Sequence, residues 1–358
     1  MTRARALILL ALPLLFATPT TSAVLSASRA GETRIPLTDM DTNTYLGFEG
    51  GLYPDGNLLP PNHASAGVVA TFNIQPRAVD GSPDPNGTYI LLSIGMSNTN
   101  QEFCGYTDGI TPCNSWTFMG QAAADPNVNH TTLTILNGAA GGQVAWAWDS
   151  PNEQNYDRIR DEILTPLGLS ENQVEIVWAK VANPNPAISL PIGNADAYLL
   201  MELLGDIARA LKVRYPHLQQ VFLTSRNYAG YATTTLNPEP YAYESGFSVK
   251  WVIGAQIHQT QTGELDPIAG DLAYPTTVPW LAWGPYLWAD GLTPRSDGLI
   301  WEPTDFEVDG THPSQQGETK IATLLLDFFL NSPQTRCWFR AGETCLVSTI
   351  FLPVIETQ

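Results

Sequence analysis

Short apolar runs alternate with stretches of helical periodicity through most of this chain, and that alternation admits few architectures. The runs are GVVATFNI (67–74), TYILLSIG (88–95), TTLTILNGA (131–139), VEIVWAKVAN (174–183) and QQVFLTSRNY (219–228). Each is rich in β-branched or aromatic residues and reads as a strand. Helical spacing of apolar residues marks 152–168, 194–215, 241–259 and 317–330, with Ile321, Leu324, Leu325 and Phe328 on one face of the last. Strand then helix, repeated, predicts an α/β fold with a parallel sheet covered on both faces. Residues 260–308 are rich in Pro, Gly and Trp and read as a long irregular insertion. Trp280, Trp283 and Trp288 within it suit either a sugar-stacking platform or the small core of an ordered loop.

The ends of the chain read differently. Arg3 and Arg5 precede an apolar stretch from Ala6 to Ala17, and Thr21-Ser22-Ala23 offers small residues for cleavage. Residues 1–23 therefore read as a signal peptide, which implies a secreted, extracytoplasmic protein. Residues 24–330 are expected to form the main domain. Residues 331–358 read as a tail that carries one cysteine pair and ends in the apolar run STIFLPVI. No later stretch reaches the ~18 apolar residues of a spanning helix, so no integral membrane segment is expected after cleavage.

The four cysteines fit export. They allow three pairings, and the sequence separations, nine and eight residues, favour local bridges Cys104–Cys113 and Cys337–Cys345. A zinc site is the rival reading, but no Cys-x-x-Cys spacing or histidine pair supports it. The segment DMDTNTYLGFEG lacks the glycine and glutamate of a calcium loop, having Thr44 and Gly50 there. No metal or cofactor is expected. A net charge of −18 argues against nucleic acid or an anionic membrane as partner.

In an open parallel sheet, ligands bind beyond the carboxyl ends of the strands. Gly95-Met96-Ser97-Asn98 follows the second run, NGAAGGQ (137–143) the third and KVANPNP, with Asn183, the fourth. After the insertion comes Asp309-Gly310-Thr311-His312. Gly-x-Ser occurs three times in the chain, but only Ser97 is fed directly by an apolar strand. Asp-x-x-His occurs once. A serine hydroxyl becomes a nucleophile when a base takes its proton. His312 suits the base and Asp309 the residue that orients it, although Pro313 also suits a plain helix start. Donors for an oxyanion are the Ser97 and Gly142 backbone N–H groups and the Asn183 amide.

These four ordered blocks resemble those of the SGNH (GDSL-type) hydrolase superfamily, over residues 68–330. GMSN and NGAAGG are similar to the first two blocks of sialate and xylan O-acetylesterases. The resemblance implies a three-layer α/β/α, flavodoxin-like fold and metal-free hydrolysis of esters, often acetyl groups on sugars. Met96 replaces the aspartate usual after the first glycine. Lys180 stands where the acetylesterase relatives carry glutamine in their third block. Either Asn183 or Lys180 therefore suits the oxyanion, and Lys180 equally suits a strand-end salt bridge.

Arg226, Asn227 and Tyr228 follow the fifth run and can line the cleft or pack its loop. His63 has no evident partner and reads as a packing residue. The sequence thus predicts a secreted serine esterase acting on an O-acetylated carbohydrate, with a small-molecule or polysaccharide ester as substrate. The alternatives are a lipid or aryl esterase, a non-catalytic carbohydrate-binding protein of the same fold, or a surface structural protein.

Overall fold

A computed structural model describes residues 34–41, 43–109 and 111–345. The leader at 1–23 and the apolar run at 348–355 lie outside the described residues. In chain order the elements are a two-stranded hairpin, β1 (Thr44–Tyr45) and β2 (Phe48–Glu49), then α1 (Pro61–Asn73), β3 (Tyr89–Gly95) and α2 (Ser97–Phe103). Next come α3 (Phe118–Ala124), β4 (Leu133–Asn137), α4 (Gln154–Arg158), β5 (Val174–Lys180) and α5 (Asp196–Arg214). The chain closes with β6 (Gln220–Leu223), α6 (Tyr241–Thr262), β7 (Trp280–Trp283), α7 (Gln315–Asn331) and α8 (Arg336–Phe339).

The main sheet has five strands, all parallel, in the order β4-β3-β5-β6-β7. Counting only these strands, that is the flavodoxin-like order 2-1-3-4-5. Every residue of β3 and β5 is buried, as central strands covered on both faces must be. Ile90, Leu92 and Ile94 face a core shared with α5 and α6, while Tyr89 and Leu91 face one shared with α1, α3, α7 and α8. The result is the three-layer α/β/α fold that the resemblance implies.

Two segments depart from the sequence reading. Residues 67–74 were expected as a strand; instead 67–73 complete α1 and Ile74 is its extended cap. Pro61 suits the first helical turn, and the buried His63, Gly67, Ala70 and Thr71 recur at helical spacing. Gly67 lies so close to the Trp280 ring that a Cβ there would sit 2.3 Å from Cζ2. Packing against that indole overrides the β-branched character of Val68 and Val69.

The second departure is β7, which lies inside the expected insertion and forms the edge of the sheet. Its four residues are all buried. The Trp280 indole donates to the His63 carbonyl and the Trp283 indole to Leu52. Trp288 is also buried and donates to Glu239. These tryptophans are core, not a sugar platform. His63 is buried too, with Nε2 2.8 Å from the Leu281 carbonyl.

The cysteines pair as Cys104–Cys113 and Cys337–Cys345. Each loop of this size contributes about 2–3 kcal/mol in the chain-entropy account. Residues 336–339, expected in a tail, place Trp338 and Phe339 in the core beside Phe329. Among the described residues, no helix is long and apolar enough to cross a membrane.

Two buried carboxyls that form no ion pair among the described residues make stability depend on pH. Glu244 accepts from the Tyr45 hydroxyl at 3.0 Å and the Leu190 amide at 3.1 Å. Glu318 accepts from the Trp116 indole at 2.6 Å. Burial pushes each from an ordinary 4.5 up to about 7. The native state then holds protons that the unfolded chain has released. The stability they contribute is full below pH 4.5 and lost as pH rises to about 7. Tm is expected to fall across that window, and Glu244→Gln and Glu318→Gln should each flatten the slope. An unchanged slope in both variants would show that these carboxyls are ionised throughout.

Candidate active site

Both central strands end at one corner of the molecule, at the topological switch between β3 and β5. β3 stops at Gly95, whose φ of +152° turns the chain sharply into α2. A side chain there would also collide, since a Cβ would lie 2.3 Å from the Lys180 carbonyl and 2.4 Å from Thr99 Oγ1. Ser97 follows as the first residue of α2. Gly95→Ala is expected to destabilise the fold by about 2–4 kcal/mol, through strain plus close contact. Urea unfolding measures this, and a loss below about 0.5 kcal/mol would show that the turn relaxes freely.

The Asp309–His312 segment reaches the same corner from the other end of the chain. Gly310 (φ +62°) lies so close to the Tyr231 carbonyl that a Cβ there would sit 1.9 Å from the oxygen. Thr233 N–H donates to the Asp309 carbonyl at 2.9 Å, and the Thr234 and Thr311 hydroxyls share a hydrogen bond of 2.7 Å. The Asn98 amide donates to the Thr311 carbonyl at 2.8 Å, tying this loop directly to α2. Pro313 does not begin the helix. It pairs with Phe306 in an isolated bridge, and α7 starts at Gln315 with Ser314 as its cap.

These constraints bring three side chains into one chain of hydrogen bonds. Ser97 Oγ lies 2.8 Å from His312 Nε2, and His312 Nδ1 lies 2.6 Å from Asp309 Oδ2. The other Asp309 oxygen accepts from the Thr311 and His312 backbone amides at 2.9 and 3.0 Å. Burial acts to raise the Asp309 carboxyl, but the hydrogen bonds from His312 and the backbone outweigh it and hold it below the ordinary value. An ionised Asp309 can only accept, so Nδ1 carries the proton and Nε2 is free to accept from Ser97.

A cavity of about 280 Å³ opens beside the serine. Met96, Val144, Ala182, Pro184 and Leu236 make its walls largely apolar, and Gly142, Asn183, Arg226 and Asn237 also line it. The second block is held in place by Asn137, which accepts from the Ser93 hydroxyl and donates to Asn100. Asn183 is buried, and neither end of its amide has a hydrogen-bond partner among the described residues.

Lys180 does not reach the cavity. Its ammonium is fully buried against Glu102, at 2.5 and 2.7 Å from the two carboxylate oxygens. Of the two readings of this lysine, the geometry is that of the strand-end salt bridge. The sequence reading missed Glu102, and its only trace there was an acidic residue in a segment otherwise placed after the strand. Arg226 lines the cavity, Asn227 is buried without lining it, and Tyr228 packs on Tyr231. Among the described residues no cluster of His, Cys, Asp or Glu is arranged to hold a metal ion.

The fold and the order of the four blocks are those that the resemblance to SGNH (GDSL-type) hydrolases implies. No family model matches the sequence, and no curated protein matches it. Among solved structures, the chain is similar to that of TesA, at 14% identity over 67% of this chain and 97% of that one, with a TM-score of 0.35. It is similar to an extracellular lipase from Streptomyces rimosus at 13% identity, over 67% and 100% of the two chains, with a TM-score of 0.33. It is also similar to a family two carbohydrate esterase from Cellvibrio japonicus at 12% identity, over 66% and 59%, with a TM-score of 0.32. Likeness at this level says nothing of substrate or mechanism, so the functional reading rests on the site.

Proposed function

We propose that this protein is a secreted serine ester hydrolase that removes acetyl groups from carbohydrates. The observation that carries the reading is the unbroken path Ser97 Oγ, His312, Asp309, with both links within 2.8 Å. His312 Nε2 takes the Ser97 proton as Oγ attacks the ester carbonyl. Asp309 keeps the imidazole oriented and stabilises its cationic form. The tetrahedral oxyanion is received by the Ser97 and Gly142 N–H groups and the Asn183 amide. His312 then protonates the leaving alcohol, and water attacks the acetyl-enzyme by the reverse route.

A cavity of about 280 Å³ suits a short acyl group better than a long chain. The two disulfides and the basic-then-apolar N-terminus support export. The test is acetate release from acetylated sugars and p-nitrophenyl acetate, combined with a fluorophosphonate probe. Hydrolysis is expected, with the probe on the Ser97 peptide by mass spectrometry. A folded protein that hydrolyses no ester and takes up no probe would instead be a binding protein of this fold.

A further inference from the structure

Gly142, whose N–H is one of the oxyanion donors, has little support of its own. Its backbone stands at φ +77°, and a Cβ added there would meet no atom of the described residues within 4 Å. Where its N–H points is therefore set by whatever holds its loop on either side. That matters because an oxyanion donor is effective only if it is fixed before the charge develops.

The sheet holds part of the loop. The Gly138 and Ala140 amides donate to the Ser93 and Gly95 carbonyls at 3.0 and 3.1 Å, and the Ala145 amide donates to Ala182 at 3.2 Å. The rest is held by α4. Arg158 Nη2 donates to the Gly138 carbonyl at 2.5 Å. Asn155 Nδ2 donates to Gln143 Oε1 at 2.7 Å and to the Ala147 carbonyl at 3.0 Å. The two residues are three apart, so one face of the helix carries both. They grip the loop before and after Gly142.

Neither side chain suits a plain packing role. Asn155 is buried and spends its amide donor on this loop. The bond to Gly138 is the one hydrogen bond that the Arg158 side chain makes among the described residues, while its Nε and Nη1 are buried without a partner there. Burying a guanidinium for a single hydrogen bond is costly to the fold. α4 also departs from regular geometry, running into a π-helical turn at Ile159–Leu164, an irregularity frequent at functional sites. Ile159 continues the grip, since a Cβ on Gly138 would lie 2.8 Å from its Cδ1.

Resting on the esterase reading, we propose that Asn155 and Arg158 are positioning residues that aim the Gly142 N–H at the oxyanion. Neither lines the cavity, so both act through the loop and not on the substrate.

The experiment measures p-nitrophenyl acetate turnover in Asn155→Asp and Arg158→Met, which keep the shape or length of the side chain and lose its donor. In each, kcat is expected to fall by about tenfold or more with KM changed by less than about twofold. Phenylboronic acid forms a tetrahedral adduct with a nucleophilic serine, and its affinity should fall by the same factor as kcat. Arg158→Lys, which still offers a donor, should recover part of the loss. Gln143→Leu breaks the Asn155 link from the partly exposed loop side and leaves α4 intact, so it stands even where the α4 substitutions impair folding. It should lower kcat too, and adding Asn155→Asp to it should cost less than Asn155→Asp alone. A kcat within about twofold of wild type in these variants, or a loss that leaves phenylboronic acid affinity unchanged, would overturn the proposal. Should the wild type hydrolyse no ester, the esterase reading fails separately, and amide hydrogen exchange then decides. Faster exchange across residues 138–145 in Gln143→Leu than in wild type supports the clamp, and equal exchange overturns it.

Discussion

A Ser97→Ala variant is expected to lose kcat on acetyl esters by about 10⁴-fold or more while remaining folded. The hydroxyl alone is removed, and among the described residues its one side-chain hydrogen bond is the 2.8 Å link to His312. The sheet and its turn do not depend on that contact, so Tm should stay close to wild type. His312→Ala should lose activity to a similar degree. The double variant should be scarcely worse than either single one, because groups that act in one proton transfer lose their effect together. A steady-state cycle on p-nitrophenyl acetate measures this. Additive losses would place the two residues in separate roles, and a Ser97→Ala enzyme with substantial turnover would remove the serine as nucleophile.

The second large effect concerns stability. Lys180→Met leaves the Glu102 carboxyl buried without its cation, and the expected cost is about 3–5 kcal/mol. Burial pushes the lysine down and the glutamate up, each partly held back by the other. Removing the lysine therefore favours a protonated Glu102. Pairing Lys180→Met with Glu102→Gln should recover part of the loss, since the second change removes the stranded charge. Urea unfolding of the two single variants and the double gives the coupling. A coupling near zero would mean that water enters and screens the pair. The pair also fastens the helix bearing Ser97 to β5, alongside the 2.7 Å bond from Thr99 Oγ1 to the Lys180 carbonyl. Lys180→Met should thus lower kcat as well as stability, without any contact to substrate.

What was legible in the sequence follows the range of the forces concerned. β3 and β5 could be read directly because a strand buried on both faces needs a continuous apolar run, a local property of composition. The long helices α5, α6 and α7 could be read from their periodicity. α1 and β7 could not. The Val68-Val69 pair looks extended until Trp280 is packed against Gly67, and Trp280-Leu281-Ala282-Trp283 is too short to stand out from the Pro- and Gly-rich sequence around it.

The candidate site divides along the same line. The chain alone specified the order of Ser97, Gly142, Asn183 and the Asp309–His312 pair, together with the strand feeding the serine, because those are properties of neighbours in sequence. Tertiary structure alone decided which polar side chains face the cavity. Glu102, 78 positions before Lys180, withdraws the lysine into the interior. Asn183, three residues after it, has no such partner among the described residues and contributes to the cavity lining. A residue's type determines the bonds it can make, but its availability depends on which distant partners the fold has brought within reach.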